Sequence, residues 1–248
     1  MSPEIIPPAA RAPVHALFEL LGYAVAAWLY MRARRRQGDL LPDNARSTVV
    51  CAAFVGAALG ARLLALLEHP QTFHWQSLLL LDGGRTIIGG ILGGWIAVEL
   101  VKRHYDINTR TGDLFVTPLI VGLVFGRIGC FLAGTADDTF GRATTLPWGI
   151  DFGDGLARHP LQLYEIAFLL LYLLVSRELS WPLVTGDRFR LFVFSYFSLR
   201  FALEFLQDSP RLAGLDALQW ASLAGIAWCA PTMLAIARRR LPRAAEAS

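Results

Sequence analysis

The chain has 248 residues, 54% hydrophobic and 17% charged, against roughly 25% charged in soluble domains. With a mean hydropathy of +0.44, that balance excludes an ordinary soluble globule and places the chain in the membrane class. The net charge of +3 is mild, and the arginines fall in short clusters at helix ends. That pattern excludes nucleic-acid binding, which needs a basic face on a soluble module.

The segment Met1–Pro13 has several prolines and one basic residue, Arg11. It lacks the basic start and immediate apolar core of a cleaved signal peptide, so the first span is expected to act as its own insertion signal. A bilayer core of ~30 Å takes about 20 apolar residues per helix. On that measure seven spans are predicted, at 14–31, 47–67, 86–101, 113–133, 161–176, 189–206 and 216–237. The third and fifth are short, and are open to a different tilt, a re-entrant course or a longer helix. Gly56 and Gly60 form a small-xxx-small face in the second span. Gly89, Gly90, Gly93 and Gly94 make one side of the third span thin, which reads first as helix packing and second as room for a lipid chain. No repeat, linker or inverted pair of halves is visible, so a transporter of that design is not indicated. The expectation is an all-α, polytopic, single transmembrane domain over 1–248.

Orientation follows from the basic residues. Arg32, Arg34, Arg35, Arg36, Arg46, Lys102, Arg103, Arg110, Arg177, Arg188, Arg190 and the Arg238–Arg240 cluster with Arg243 lie on one side. Arg11, Arg85, Arg142, Arg158 and Arg211 lie on the other. The positive-inside rule therefore puts the N-terminus outside and the C-terminus in the cytoplasm. With that orientation, His15, Glu19, Arg62, Arg127, Gln162, Glu165, Arg200 and Glu204 all fall toward the outer side, near loop residues Asp82, Arg85, Arg158 and His159. Ionisable groups at such depth are expensive and are usually functional or paired. Glu99 alone sits toward the cytoplasmic end, where snorkelling or a pair with Arg103 is expected.

Tyr196, Arg200 and Glu204 follow a four-residue spacing and share a helix face, so Arg200 and Glu204 are expected to pair. His15 and Glu19 have the same spacing, which leaves a plain hydrogen bond and a catalytic role both open. Cys51, Cys130 and Cys229 form no CxxC, so neither a metal site nor a disulfide framework is indicated, and no cofactor motif is present. Several arginines at one depth fit an anionic ligand, because guanidinium takes phosphate bidentately and stays charged when partly buried. A phospholipid head group is the expected anion.

At these residues the chain resembles the bacterial phosphatidylglycerol–prolipoprotein diacylglyceryl transferases. Arg158-His159-Pro160-Leu161-Gln162-Leu163-Tyr164-Glu165 is similar to the family's RHPxQLYE stretch. Gly126-Arg127-Ile128-Gly129, with Phe131 and Gly134, resembles its GRxGNFxNG signature, and Gly141-Arg142 the GR that closes the loop. Asp82-Gly83-Gly84 with Gly89, Gly90 and Gly93 resembles DGGxxxxGGxxG. Tyr196, Arg200 and Glu204-Phe205 resemble YxxxRxxxEFF, and Gln219 the glutamine that opens the last span. The resemblance covers about residues 14–237.

It implies a multi-pass protein of the bacterial inner membrane that moves a diacylglyceryl group from phosphatidylglycerol to the cysteine thiol of a lipoprotein precursor. Its partners would be those two substrates and membrane lipids, without a cofactor. It further implies phosphate stabilisation by Arg127 and Arg200, with Glu204 and Tyr196 positioning Arg200. Gly126, Gly129 and Gly141 would let backbone approach the lipid head. Arg142, Arg158, Gln162 and Glu165 would complete the substrate site. The chain departs from the pattern at Ile88, where the family often has a histidine, so the base is sought at His15 or His159. Cys130 replaces the asparagine after GRxG; it reads first as a small packing residue and second as a thiolate favoured by Arg127. Ala133 is a further departure, and the loop before Gly141 is long, with Asp137 or Asp138 for the family's acidic position. A related head-group transfer to another acceptor, and a non-catalytic lipid binder on the same scaffold, are the alternative readings.

Overall fold

A computed structural model describes residues 7–38, 41, 43–68, 84–134, 139–178 and 181–245. Asp82, Gly83, Asp137 and Asp138 lie outside the described residues. The described chain is helical, with seven α-helices: α1 (Pro8–Gln37), α2 (Asp43–Glu68), α3 (Ile87–His104), α4 (Val116–Ala133), α5 (Leu161–Glu178), α6 (Asp187–Leu203) and α7 (Ala217–Ala245). Among the described residues, four segments, Ala9–Arg36, Ala45–Glu68, Gly112–Ala133 and Ala217–Arg240, are long and apolar enough to cross a membrane. The chain is thus a helical protein with several candidate membrane spans.

Helix ends follow local rules. Pro8 opens α1, where its missing N–H is not needed. Arg34, Arg35 and Arg36 crowd its last turn, where positive charge opposes the helix dipole. At α3, the Thr86 side chain accepts the Gly89 N–H at 3.2 Å, a side-chain N-cap. At α7, Asp216 Oδ1 accepts the Gln219 N–H at 2.6 Å, and Gln219 Oε1 accepts the Asp216 N–H at 3.1 Å. That reciprocal pair is a capping box, and it gives Gln219 a physical reason to stand there.

The chain forms two compact units. One comprises Met1–Gly38, Gly112–Pro182 and Phe205–Asp208; the other comprises Asp39–Thr111, Leu183–Glu204 and Ser209–Ser248. In the first unit α4 packs against both α1 and α5. In the second, α2 packs on α3 and α6 on α7.

The α2–α3 contact settles the two readings of the glycine-rich face in favour of packing. A Cβ on Gly56 or Gly60 would strike the backbone of Gly93 or Gly89, and the reverse additions strike Gly56 and Gly60. The two backbones touch directly, as small-residue faces allow.

Three details differ from the sequence expectation. The α4–α5 connection holds a small antiparallel pair, β1 (Ile150–Asp151) with β2 (Ala157–Arg158), joined by a bridge from Ala143 to Arg158. Two-residue strands carry no period to read. The sixth helix stops at Leu203 and passes into a tighter turn over Glu204–Leu206. Glu99, read from the sequence as snorkelling or paired with Arg103, pairs with Lys102 at 3.0 Å, three residues on. Both spacings lie on one helix face, so geometry alone does not choose between them.

Candidate functional site

The first unit buries one arginine of the GRIG stretch against one glutamate of the RHPLQLYE stretch. Arg127 projects from α4, and Glu165 from the second turn of α5. Arg127 Nε donates to Glu165 Oε2 at 3.0 Å, and its Nη2 lies 2.9 Å from Oε1. The side chains are 7% and 1% exposed, so both charges have left water, and only close pairing makes that tolerable. One turn before Glu165, Gln162 is fully buried and donates from Nε2 to Thr139 Oγ1 at 3.0 Å.

Around Arg127 the three motif glycines have different surroundings. A Cβ on Gly126 would meet nothing within 4 Å. A Cβ on Gly129 would meet His15 Cδ2 at 2.9 Å and Phe18 Cβ at 3.0 Å. Gly129 thus lets α1 lie close to α4. That approach brings His15 Nε2 to 3.7 Å from Cys130 Sγ. A Cβ on Gly141 would meet His159 Cβ at 2.7 Å and Leu206 O at 2.9 Å.

The connection after α4 is pinned by its backbone. The Gly141 N–H donates to His159 O at 2.8 Å, the His159 N–H to Arg142 O at 3.2 Å, and the Arg142 N–H to Leu206 O at 2.7 Å. These bonds hold His159 in place beside α5. There His159 Nδ1 lies 3.2 Å from Tyr164 Oη, and Trp148 Nε1 donates to the same oxygen at 2.8 Å. Arg158 donates from Nε to Asp154 Oδ2 at 2.6 Å and lies over the Phe140 ring at 5.1 Å. The hydrogen bond from Arg158 holds the Asp154 carboxyl below its ordinary value. The Arg142 side chain is exposed.

The second unit holds the other pair. Arg200 Nη2 donates to Glu204 Oε2 at 2.8 Å, with 8% and 1% of the side chains exposed. The four-residue spacing persists because Glu204, although it begins the tighter turn, continues the helical path. Tyr196, one turn earlier, is fully buried and stacks on Phe192 with ring centres 5.8 Å apart. Gln219 Nε2 donates to Phe201 O at 3.3 Å, tying the α7 cap to the residue after Arg200. Burial pushes the Asp216 carboxyl above its ordinary value. Ile88 is fully buried in packing.

Sequence reading missed two polar nodes. One is the string that joins Trp148, a loop tryptophan with no motif around it, to Tyr164 and His159 of the RHPLQLYE stretch. The other is Asp187 at the start of α6, fully buried and engaged by Arg110 at 3.3 Å and Arg239 at 2.9 Å. Its signal was an acidic residue at a helix start among arginines. Among the described residues, no group of three or more His, Cys, Asp or Glu side chains is arranged to hold a metal ion.

The site residues lie within a sequence similar to known proteins along most of its length. The family model described as "Prolipoprotein diacylglyceryl transferase" matches residues 7–235. A phosphatidylglycerol–prolipoprotein diacylglyceryl transferase of Nitratidesulfovibrio vulgaris is 32% identical over 233 residues, covering 89% of this chain and 86% of the relative. One from Geobacter sulfurreducens is 32% identical, covering 81% and 80%. One from Cupriavidus necator is 36% identical, covering 77% and 74%. With the family matched over nearly its whole length, and with relatives above 30% identity on most of it, this chain belongs to the prolipoprotein diacylglyceryl transferase family.

Proposed function

We propose that this chain transfers a diacylglyceryl group from phosphatidylglycerol to the cysteine thiol of a lipoprotein precursor, at the outer leaflet of the bacterial inner membrane. The observation that carries this reading is the pair of buried arginine–carboxylate centres, Arg127–Glu165 and Arg200–Glu204, at the motif positions of the family. A guanidinium has five N–H groups in a planar fork, and a carboxylate on one edge sets the direction of the other. Each arginine is thereby pre-oriented for a phosphodiester.

The reaction forms a carbon–sulfur bond and breaks the glyceryl carbon–oxygen bond to phosphate. The thiol proton must leave, and glycerol phosphate departs carrying additional negative charge. A free thiol has a pKa of about 8.5, so a base helps at neutral pH. His15 takes that role: its ring lies against α4 beside Cys130, one helical turn from Arg127. Each arginine, within its own unit, is suited to offset charge that develops on a phosphate, which is electrostatic stabilisation by preorganised donors. Gly126 lies beside open space and admits the lipid head near Arg127.

The membrane arrangement in this reading is seven spans, N-terminus outside and C-terminus cytoplasmic, supported by the arginine distribution. At 18, 18 and 17 residues, α3, α5 and α6 are at the short end for a crossing helix. The decisive experiment is rescue of growth and lipoprotein modification in a bacterium depleted of its own transferase. Rescue that disappears with Arg127→Ala or Arg200→Ala supports the chemistry. An inserted, folded protein that fails to rescue points to another acceptor.

A further inference from the structure

The His159 ring is held by a string of two side chains whose donor and acceptor roles have one arrangement that satisfies every group within the string. Trp148 Nε1 is 2.8 Å from Tyr164 Oη, and Tyr164 Oη is 3.2 Å from His159 Nδ1. An indole N–H only donates, so Tyr164 Oη accepts from Trp148. The phenol has a single proton of its own. Directed at His159 Nδ1, that proton gives every group in the string a partner. With the proton on Nδ1 instead, Tyr164 Oη would accept twice and its own proton would have no partner in the string.

The geometry is fixed from several sides. The His159 backbone is bonded through its N–H to Arg142 O and through its O to the N–H groups of Gly141 and Leu161. Tyr164 sits in the first turn of α5, its N–H bonded to Pro160 O. The two rings meet edge to face, with centres 6.2 Å apart.

We infer that Trp148 and Tyr164 are positioning residues that hold neutral His159 with its proton on Nε2. Such a ring cannot take the thiol proton at Nε2. It donates a hydrogen bond there, and the fitting acceptor is an ester or phosphate oxygen of the phospholipid donor. His159 is then a lipid-binding donor and is distinct from the base. This inference rests on the proposed transfer for its lipid partner, while the tautomer stands independently of it.

The test uses the full chain in nanodiscs with 15N-labelled histidine rings, at about pH 8, where most histidines are neutral. The His159 signal is identified by its loss in His159→Gln. The expected result is Nε2 protonation in the parent protein and a mixture of tautomers in Tyr164→Phe. Turnover of phosphatidylglycerol should fall about tenfold in Tyr164→Phe, the worth of one hydrogen bond. His159→Gln, whose amide nitrogen reaches the Nε2 position, should keep more turnover than His159→Asn. Trp148→Phe, at an exposed position, should shift the tautomers in the same direction and serves if Tyr164→Phe does not fold. A parent ring protonated on Nδ1, or a tautomer that neither variant alters, would overturn the inference. So would turnover in His159→Asn equal to that in His159→Gln. A protein with the expected tautomer but no transfer to any precursor would instead overturn the proposed function.

Discussion

Arg127 and Glu165 meet edge to edge, Nε to Oε2 at 3.0 Å and Nη2 to Oε1 at 2.9 Å, across two helices of one compact unit. Truncating one partner strands the other charge away from water, at a cost of about 3–5 kcal/mol. Arg127→Ala and Glu165→Ala should therefore both lower the Tm in detergent as well as activity. The double variant Arg127→Met with Glu165→Leu should regain most of the stability, because it removes both charges together, and should remain inactive. Transfer by that double variant would show the pair to be structural only.

Arg200→Lys tests the fork at the second centre. Lysine keeps the charge and a hydrogen bond to Glu204 but loses the planar, two-toothed geometry. Turnover should drop by at least about tenfold, the scale of one lost charge-assisted hydrogen bond, while the protein still inserts. Undiminished turnover would mean that point charge is sufficient there.

Two glycines should respond in opposite ways. In Gly93→Ala the new methyl group meets the Gly56 carbonyl and, at 2.8 Å, the Gly60 Cα, so α2 and α3 must separate. Overpacking of this kind typically costs about 1–3 kcal/mol, readable as a lower Tm. Gly126→Ala meets nothing within 4 Å, so its Tm should be unchanged. If lipid comes close to that backbone, its KM for phosphatidylglycerol rises. An unchanged KM would remove Gly126 from the lipid site.

Asp216 offers a pH dependence with a definite sign. Burial is the main influence on its carboxyl and raises its value, while the Gln219 N–H and the Arg200 charge pull it down. The folded protein thus binds more protons than the unfolded chain between the ordinary carboxylate value and the raised one. In that window stability falls as pH rises, and above it the loss is complete. Asn retains the capping oxygen without the charge, so Asp216→Asn should be at least as stable as the parent at neutral pH and lack that slope. Asp216→Ala should lose about 1 kcal/mol with the cap. Thermal melts across pH would expose the opposite trend if it existed.

Much of this architecture was legible in the sequence because apolar runs and charge asymmetry report directly on helices. The Arg200–Glu204 pair was legible for a related reason: partners four apart on one helix must meet. The Arg127–Glu165 pair was not, since its members are 38 positions apart. Hydropathy gives a residue's depth along a helix but not the direction it faces, and only the α4–α5 packing supplies that. The small strands and the Trp148–Tyr164–His159 string were hidden for the same reason, being built from contacts between segments without a period of their own. Gln219 came through as a motif position and its capping partner Asp216 did not, although an Asp-x-x-Gln pattern before an apolar run is the signal that marks such a cap.

Asp187 gathers Arg110, which follows α3, and Arg239, from the final turns of α7, onto one buried carboxylate. During synthesis Asp187 emerges well before Arg239, so for an interval it has at most one of its two arginines. The clasp is complete only when the last helix has entered and threaded to its end. A chain truncated just before Arg239 should insert its helices yet remain sensitive to the cell's membrane proteases, and Arg239→Gln in the full chain should reproduce that sensitivity in milder form. Pulse-chase degradation of the two variants would read it. If both variants are degraded faster than the parent, survival of the second unit depends on the arrival of its last helix at Asp187.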